Sequence, residues 1–334
     1  MSKPEPAAES VATPAKLVSD LSRAHIAARC LHVIADCGAA DAVGPDGATP
    51  EHIAKHTGLT ADALDRMLRL LATHGVFAHG PNGSYRHTPA SELLRSDHST
   101  SLRSYVRVAG MPAFWDPFTE LPRTARTGHP HYDMAGLVDY YAAHPDESAI
   151  FNAAMVAKSR AVLPAVAAAY DFGGFATIVD VGGGRGHLLE LVLARAPHAV
   201  GTLFELPHVL ADAAAVPRMT LVAGDVFRDA LQAADAYLLM DVLHDWDDEG
   251  AARILRAVRA AARPTSRLLV IETLVAEDPG PHFGKLLDII MLAVTGGRER
   301  TRSQFAALLT ETGFRLARVL PTASQYSIVV GVAV

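Results

Sequence analysis

One segment constrains the architecture more than any other. Asp180-Val181-Gly182-Gly183-Gly184-Arg185-Gly186 stands between a short apolar run, Ala176 to Val181, and an amphipathic run from His187 to Arg195. A strand that passes into a helix through glycines opens a βαβ unit, and that turn is where doubly wound sheets bind their ligands. Glycines at 182, 184 and 186 permit left-handed dihedrals and a close backbone approach to a bound molecule. A dinucleotide fingerprint, Gly-x-Gly-x-x-Gly, needs glycine where His187 stands. The observed Gly-x-Gly-x-Gly suits a nucleoside bearing an amino acid better than a pyrophosphate.

The alternation of strand and helix patterns continues to the C-terminus. Gly201 to Glu205, Thr220 to Val222, Ala236 to Leu243 and Leu268 to Leu274 read as strands. Between the last two lies a helix with Ala251, Ile254, Leu255 and Val258 on one face, and Ser303 to Thr312 forms another, stopped by Gly313. Phe314 to Leu320 and Tyr326 to Val332 are joined by a short turn, so this edge of the sheet is antiparallel. The expected fold class is α/β, a Rossmann-like, mostly parallel sheet.

A chain of 334 residues has room for a second domain, and the N-terminal half has a different pattern. Leu17, Leu21, Ala24, Ala28, Leu31 and Ala35 put one apolar stripe along a helix of about five turns, and Val18, Ile26, Val33 and Ile34 add apolar surface on its other sides. Its cover is either its own subunit or a second copy of the chain. Thr49-Pro50-Glu51 reads as a helix start, and Leu64, Met67, Leu68 and Leu71 define a further helix after Thr60 that ends at Gly75. Val76 to Ala78 and Tyr85 to His87, around Pro81-Asn82-Gly83, form a hairpin. The set is a winged-helix module. Its second helix offers only Arg66 and Arg69 beside Asp62 and Asp65, and the chain carries a net charge of −6, which argues against nucleic acid as a partner. Residues 101–169 are mostly helical, irregular around Pro122 to Asp133, and rich in aromatic and methionine side chains suited to an apolar pocket. The expected organisation is a frayed segment 1–14, a helical dimerisation module 15–100, a pocket-forming linker 101–169 and a ligand-binding domain 170–334.

No uninterrupted apolar run spans a bilayer, and the first residues lack the apolar core of a signal peptide. A cytoplasmic protein without membrane contact is expected. Cys30 and Cys37, the two cysteines, read as buried thiols.

Glu205 ends the second strand about twenty residues beyond the glycines, where a carboxylate accepts hydrogen bonds from ribose hydroxyls. Gly224-Asp225-Val226 follows the third strand and offers a second carboxylate, suited to an adenine amino group. With Asp180-Val-Gly-Gly-Gly-Arg-Gly186, Glu205-Leu206-Pro-His-Val209, Leu243-His-Asp-Trp-Asp-Asp248, Asp288-Ile-Ile-Met291 and Gly296-Gly-Arg-Glu-Arg-Thr301-x-x-x-Phe305, these residues resemble the S-adenosylmethionine-dependent O-methyltransferases that act on small aromatic metabolites. The resemblance runs from about residue 15 to the C-terminus. It implies that the winged-helix module serves homodimerisation rather than DNA reading, that S-adenosylmethionine is the cofactor and S-adenosylhomocysteine the product, and that a small aromatic hydroxyl compound is the acceptor.

His244 opens the loop after the fourth strand, on the ligand side of the sheet. A phenol with a pKa near 10 is a poor nucleophile at neutral pH, and an imidazole is the natural base for its proton. The resemblance places Glu272 and Glu299 beside this histidine as orienting partners, in the manner of the aspartate of a serine triad. It also implies Phe227 and Trp246 near the adenosyl group and Ser159 at the amino-acid end. Met111, Trp115, Met155, Asp288 and Met291 are expected around the acceptor ring. Two positions depart from the pattern: Met240 stands where the plant enzymes carry a lysine, and Glu205 replaces the commoner aspartate. The acidic run Asp241, Asp245, Asp247 and Asp248 invites a metal, but its spacing fits a helix cap better, and no metal is expected. Two alternatives stay open from sequence: a DNA-binding sensor of the cofactor, and a relative that binds the cofactor without transferring its methyl group.

Overall fold

The computed structural model describes residues 13–211 and 213–334; most of the expected frayed segment 1–14 lies outside them. The chain divides into two compact units, Met1–Met111 and Pro112–Val334.

The first unit begins with α1 (Pro14–Asp36), capped by the Thr13 side chain. Helices α2 (Pro50–Thr57) and α3 (Ala61–Thr73) follow, each with a threonine N-cap, Thr49 and Thr60. Strands β1 (Phe77–His79) and β2 (Tyr85–His87) pair antiparallel, and α4 (Pro89–Glu92) and α5 (Arg103–Gly110) complete the unit. Ile34, Ile53, Leu64, Leu68, Leu71, Phe77 and Tyr85 form its core. The N-terminal half of α1 stays uncovered, with Leu17 at 53%, Val18 at 69% and Leu21 at 68% exposure. Arg66 and Arg69 on α3 are spent on Asp62 and Asp65 one turn away. Cys30 and Cys37 are half-buried, not buried as expected, because they flank rather than enter this core.

The second unit opens with five helices: α6 (Pro112–Thr119), α7 (Leu121–Thr127), α8 (Met134–Ala143), α9 (Pro145–Ala169) and, after β3 (Thr177–Val181), α10 (His187–Arg195). Helix α7 takes up the first part of the stretch expected to be irregular, since Pro122 falls in the first turn, where its missing N–H has no cost, and residues 128–133 are irregular as expected. By length and mean hydropathy α9 is the one described helix able to cross a membrane; Lys158 and Arg160 interrupt it, and Val162, Leu163 and Val166 pack into the core. That packing, with α6 and α7 set against the helix at Phe283–Val294, carries the second unit back to residue 112 from the boundary expected near 170.

The remaining elements are β4 (Val200–Glu205), α11 (Pro207–Leu210), β5 (Met219–Ala223), β6 (Ala236–Met240), α12 (Asp248–Ala261), β7 (Arg267–Glu272), α13 (Phe283–Val294), α14 (Arg302–Glu311), β8 (Phe314–Pro321) and β9 (Ser327–Ala333). The sheet order is β5-β4-β3-β6-β7-β9-β8, parallel from β5 to β7 and antiparallel at β9 and β8. Successive strand residues alternate between two apolar layers: Ile178, Leu203 and Leu238 face α9 and α10, whereas Val179, Phe204 and Leu239 face α12 and α14. The chain moves outward from β3 through β4 to β5 and then returns to β6 on the other side. This reversal opens a crevice at the carboxyl ends of β3 and β6, the position at which such sheets take ligands.

Strand β6 ends at Met240, three residues earlier than expected, because Asp241 takes a left-handed φ of 54° and breaks the ladder. Leu243–Asp245 forms a 3-10 turn instead. Helix α13 carries the expected Asp288 and Met291, but its extent was not evident from periodicity, since it is apolar on nearly every face.

Candidate active site

The glycine turn after β3 adopts the conformation its sequence requires, with φ of 70° at Gly182, 60° at Gly184 and 82° at Gly186. A Cβ on Gly182 would stand 2.9 Å from Val242 on the neighbouring strand end, so the turn lies directly against the loop that carries His244. Nothing stands within 4 Å of where a Gly184 Cβ would be. That open hollow borders Glu205, whose Oε2 accepts from the Gly184 N–H at 2.9 Å and whose Oε1 accepts from Leu206 N–H at 2.7 Å. Burial pushes the Glu205 carboxyl above its ordinary range. Asp180, fully buried beneath the turn, is pushed up to about 7 by burial and by the nearby Glu205.

At the end of β5, Asp225 Oδ1 accepts from the Phe227 N–H at 2.9 Å. The Phe227 and Trp246 rings meet edge to face with centroids 4.6 Å apart, and the Arg253 guanidinium lies over Phe227. The glycine turn, half-buried Glu205, Asp225 and the Phe227–Trp246 pair thus follow the carboxyl ends of β3, β4, β5 and β6. Three expected contributors are placed less specifically. Leu206 is partly exposed, Val226 lies against the apolar layer under α12, and Met240 packs with the layer under α9 and α10. Ser159 is half-buried on α9.

His244 is 7% exposed. Its Nδ1 meets Glu299 Oε1 at 2.7 Å, the expected orienting contact. Glu272 departs from expectation. Its Oε1 accepts from the main-chain N–H groups of Leu243 (2.7 Å) and His244 (3.1 Å), so it holds the backbone and not the ring. Burial pushes Glu272 up to about 7. Asp288 accepts from the Glu299 N–H at 2.9 Å, which ties α13 to the loop behind the histidine.

Nε2 of His244 faces the other way. Asp245 Oδ1 lies 3.6 Å from it and Asp241 Oδ1 4.0 Å, both beyond a good hydrogen bond. Asp241 is held by Lys158 Nζ at 3.0 Å and by the Tyr326 hydroxyl, which donates to both its oxygens at 2.8 and 3.1 Å. Burial alone would depress the imidazole; the Asp245, Glu299 and Asp241 carboxylates outweigh it and push His244 up to about 10. Sequence reading missed Lys158 and Tyr326, which are 83 or more residues from Asp241 and carry no motif. The left-handed Asp241 that aims its carboxylate at them is likewise invisible in sequence.

The acidic run has its own partners. Asp247 caps α12 through the Gly250 N–H at 2.8 Å, and Asp248 pairs with Arg298 and Arg300. Among the described residues no group of three or more His, Cys, Asp or Glu side chains has metal-holding geometry. Of the expected acceptor-ring residues, Trp115 and Met155 are half-buried and Met291 is buried, all in the second unit. Met111 is buried at the end of the first.

Comparison with known proteins gives two family matches, an O-methyltransferase domain over residues 118–315 and an O-methyltransferase dimerisation domain over residues 19–97. The phenazine O-methyltransferase PhzM of Lysobacter antibioticus is 38% identical over 308 residues, covering 90% of each chain. A solved structure of the O-methyltransferase NcsB1 from neocarzinostatin biosynthesis, in complex with S-adenosylmethionine and 2-hydroxy-5-methyl naphthoic acid, is similar with a TM-score of 0.81 at 30% identity. It covers 98% of this chain and 100% of that one. The aclacinomycin 10-hydroxylase RdmB of Streptomyces purpurascens is 34% identical over 280 residues, 79% of this chain and 75% of the relative.

Proposed function

Since the chain belongs to the O-methyltransferase family, we propose that it moves the methyl group of S-adenosylmethionine to a hydroxyl of a small aromatic compound, with His244 as general base. The observation that carries this reading is the two-sided histidine: Nδ1 fixed on buried Glu299 at 2.7 Å, and Nε2 without a hydrogen-bonded partner among the described residues. The first contact sets the tautomer that leaves Nε2 as the acceptor. Glu205, the Gly182–Gly186 turn, Asp225, Phe227 and Trp246 would hold the cofactor.

When bound, S-adenosylmethionine supplies an electrophilic methyl group on a sulfonium. Nε2 takes the phenol proton and leaves the acceptor oxygen as the phenolate to which that methyl group would pass, the sulfonium then becoming a neutral thioether. The carboxylates of Glu299, Asp245 and Asp241 stabilise the imidazolium. An imidazole pushed up to about 10 matches the ordinary phenol pKa near 10, so the proton passes almost level in energy. The same carboxylates favour the protonated ring in the ligand-free protein. Trp115, Met155, Asp288 and Met291 are proposed to border the acceptor, and the uncovered face of α1 to pair two copies of the chain. The reaction as written uses no metal, and activity is expected to survive EDTA.

The deciding assay incubates the protein with methyl-labelled S-adenosylmethionine and a panel of phenols, hydroxynaphthoates and hydroxyphenazines, beside His244→Ala. The expected result is label in the ether product and a loss of about 10²- to 10⁴-fold in the variant, with S-adenosylhomocysteine binding retained. Near wild-type turnover by His244→Ala would overturn the base assignment. The similarity to a hydroxylase favours a second reading, cofactor binding without methyl transfer. Acceptor consumed without incorporation of label would select it.

A further inference from the structure

We infer that Arg300 is a positioning residue for His244, acting through the main chain around the histidine, with Glu272 as its counterpart on the opposite side. The inference rests on the reading of His244 as the base.

His244 sits in a three-residue 3-10 turn, too short to hold itself through a helical ladder. One bond of its own closes it, from the Trp246 N–H to Leu243 O at 3.3 Å, and the rest of its holding comes from outside. The N–H groups of Leu243 and His244 both go to Glu272 Oε1. The carbonyls on either side of the histidine go to Arg300: Nη1 donates to Leu243 O at 2.9 Å and Nη2 to Trp246 O at 3.0 Å. The carbonyl of His244 itself accepts from the Arg298 N–H at 2.8 Å. Arg300 is 1% exposed, and its Nε reaches Asp248 Oδ1 at 3.0 Å on the first residue of α12. A buried guanidinium is costly unless its donors are used, and here the planar fork spans two carbonyls three residues apart. A lysine ammonium gathers its donors on one nitrogen and does not reproduce the planar fork that reaches two carbonyls and Asp248 together.

The same strip of chain supplies the ring's partner. Glu299 lies between Arg298 and Arg300, so residues 298–300 hold both the main chain and Nδ1 of His244. Gly297 lets this strip lie flush, since a Cβ there would stand 2.0 Å from His244 O. Because backbone and ring are held by one strip, a shift of the clamp displaces the imidazole relative to an acceptor on Nε2. A misplacement of about 1 Å is enough to cost on the order of 10²-fold in rate.

The test uses the full chain with Arg300→Lys, Arg300→Met, Gly297→Ala and Asp248→Asn. Four quantities are read: melting temperature, S-adenosylhomocysteine affinity by calorimetry, kcat against acceptor KM, and the downfield proton resonance of the His244 Nδ1–Glu299 bond in the ligand-free protein. For Arg300→Lys we expect kcat to fall about 10²-fold while KM and cofactor-product affinity stay within about threefold, with the Nδ1 resonance broadened or lost. Asp248→Asn, which frees only the exposed anchor, is expected to give a smaller fall in the same direction. Should Arg300→Met fail to fold, Gly297→Ala displaces the clamp with the guanidinium intact. Retention of the resonance and of kcat in Arg300→Lys and Gly297→Ala overturns the inference, as does a parallel loss of melting temperature and product affinity. If His244→Ala keeps its turnover, the base assignment fails, and the Nδ1 resonance still decides whether Arg300 positions the ring.

Discussion

At the residue scale the centre of this molecule is one imidazole with different surroundings on its two nitrogens. Glu299 on Nδ1 and two carboxylates near Nε2 make the protonated ring stable, although burial opposes it. Glu299→Gln keeps a hydrogen-bond acceptor there but removes a charge. The His244 pKa is therefore expected to fall from about 10 toward its ordinary value, and turnover to drop about tenfold or more. NMR titration of the ring in the ligand-free protein checks the first effect, and an unmoved midpoint would sink the assignment of cause. The sign for activity follows from the base role, because only the neutral ring accepts a proton. Acceptor kcat/KM is expected to rise with pH along a limb that ends near the raised His244 pKa of about 10. His244 and Glu299 were legible from their motifs. The backbone role of Glu272 was not, because which atoms a carboxylate meets depends on how β7 aligns with the turn after β6.

At the scale of elements, the strand–glycine–helix pattern located the turn to the residue, since positive φ at three alternate positions is available to glycine at little cost. Gly184 separates binding from folding. Its φ of 60° makes Gly184→Ala cost about 1 kcal/mol, yet no protein atom stands in the way of the new methyl group. The expected result is a melting temperature only a few degrees lower and S-adenosylhomocysteine affinity reduced at least tenfold. Equal affinities by calorimetry would show that the hollow is not the cofactor's. Boundaries at the end of β6 were misread because valine and leucine at 242 and 243 continue the strand pattern, while the break comes from Asp241 turning toward Lys158 and Tyr326. Helix α13 escaped for the opposite reason: a segment apolar all round has no periodicity to read.

At the scale of the whole molecule, the uncovered apolar residues of α1 and the dimerisation domain point to association of two copies. Leu21→Asp, at a position 68% exposed, is expected to yield monomer in sedimentation velocity with the fold of the second unit intact. An unchanged dimer would place the interface elsewhere. Stability should also depend on pH through the buried carboxyls. Asp180 and Glu272, each pushed up to about 7, keep their protons in the folded state when the unfolded chain has released them near pH 4. Between those values the unfolded state binds fewer protons, so stability falls as pH rises from about 4 to 7 and levels above. His244 acts in a different window: its contribution is whole below about 6.5 and is lost as pH rises through about 10. Asp180→Asn is expected to remove one proton's share of the slope between pH 4 and 7, read as melting temperature across that range. An unaltered slope would contradict the buried-carboxyl account.

Sequence by itself determined what is local. Glycine spacing, apolar period and the order of motifs dictate the sheet and the glycine turn and mark where His244 falls, because backbone sterics and burial act on neighbours along the chain. Only the tertiary structure decided what that histidine meets. Glu272 reaches its main chain, Glu299 its ring, and Lys158 and Tyr326 hold the Asp241 that faces its free nitrogen. Arg300 spans the turn from a strip more than fifty residues away. Those contacts depend on the register of β6, β7 and β9 and on the strained backbone at Asp241, which no spacing in the chain records.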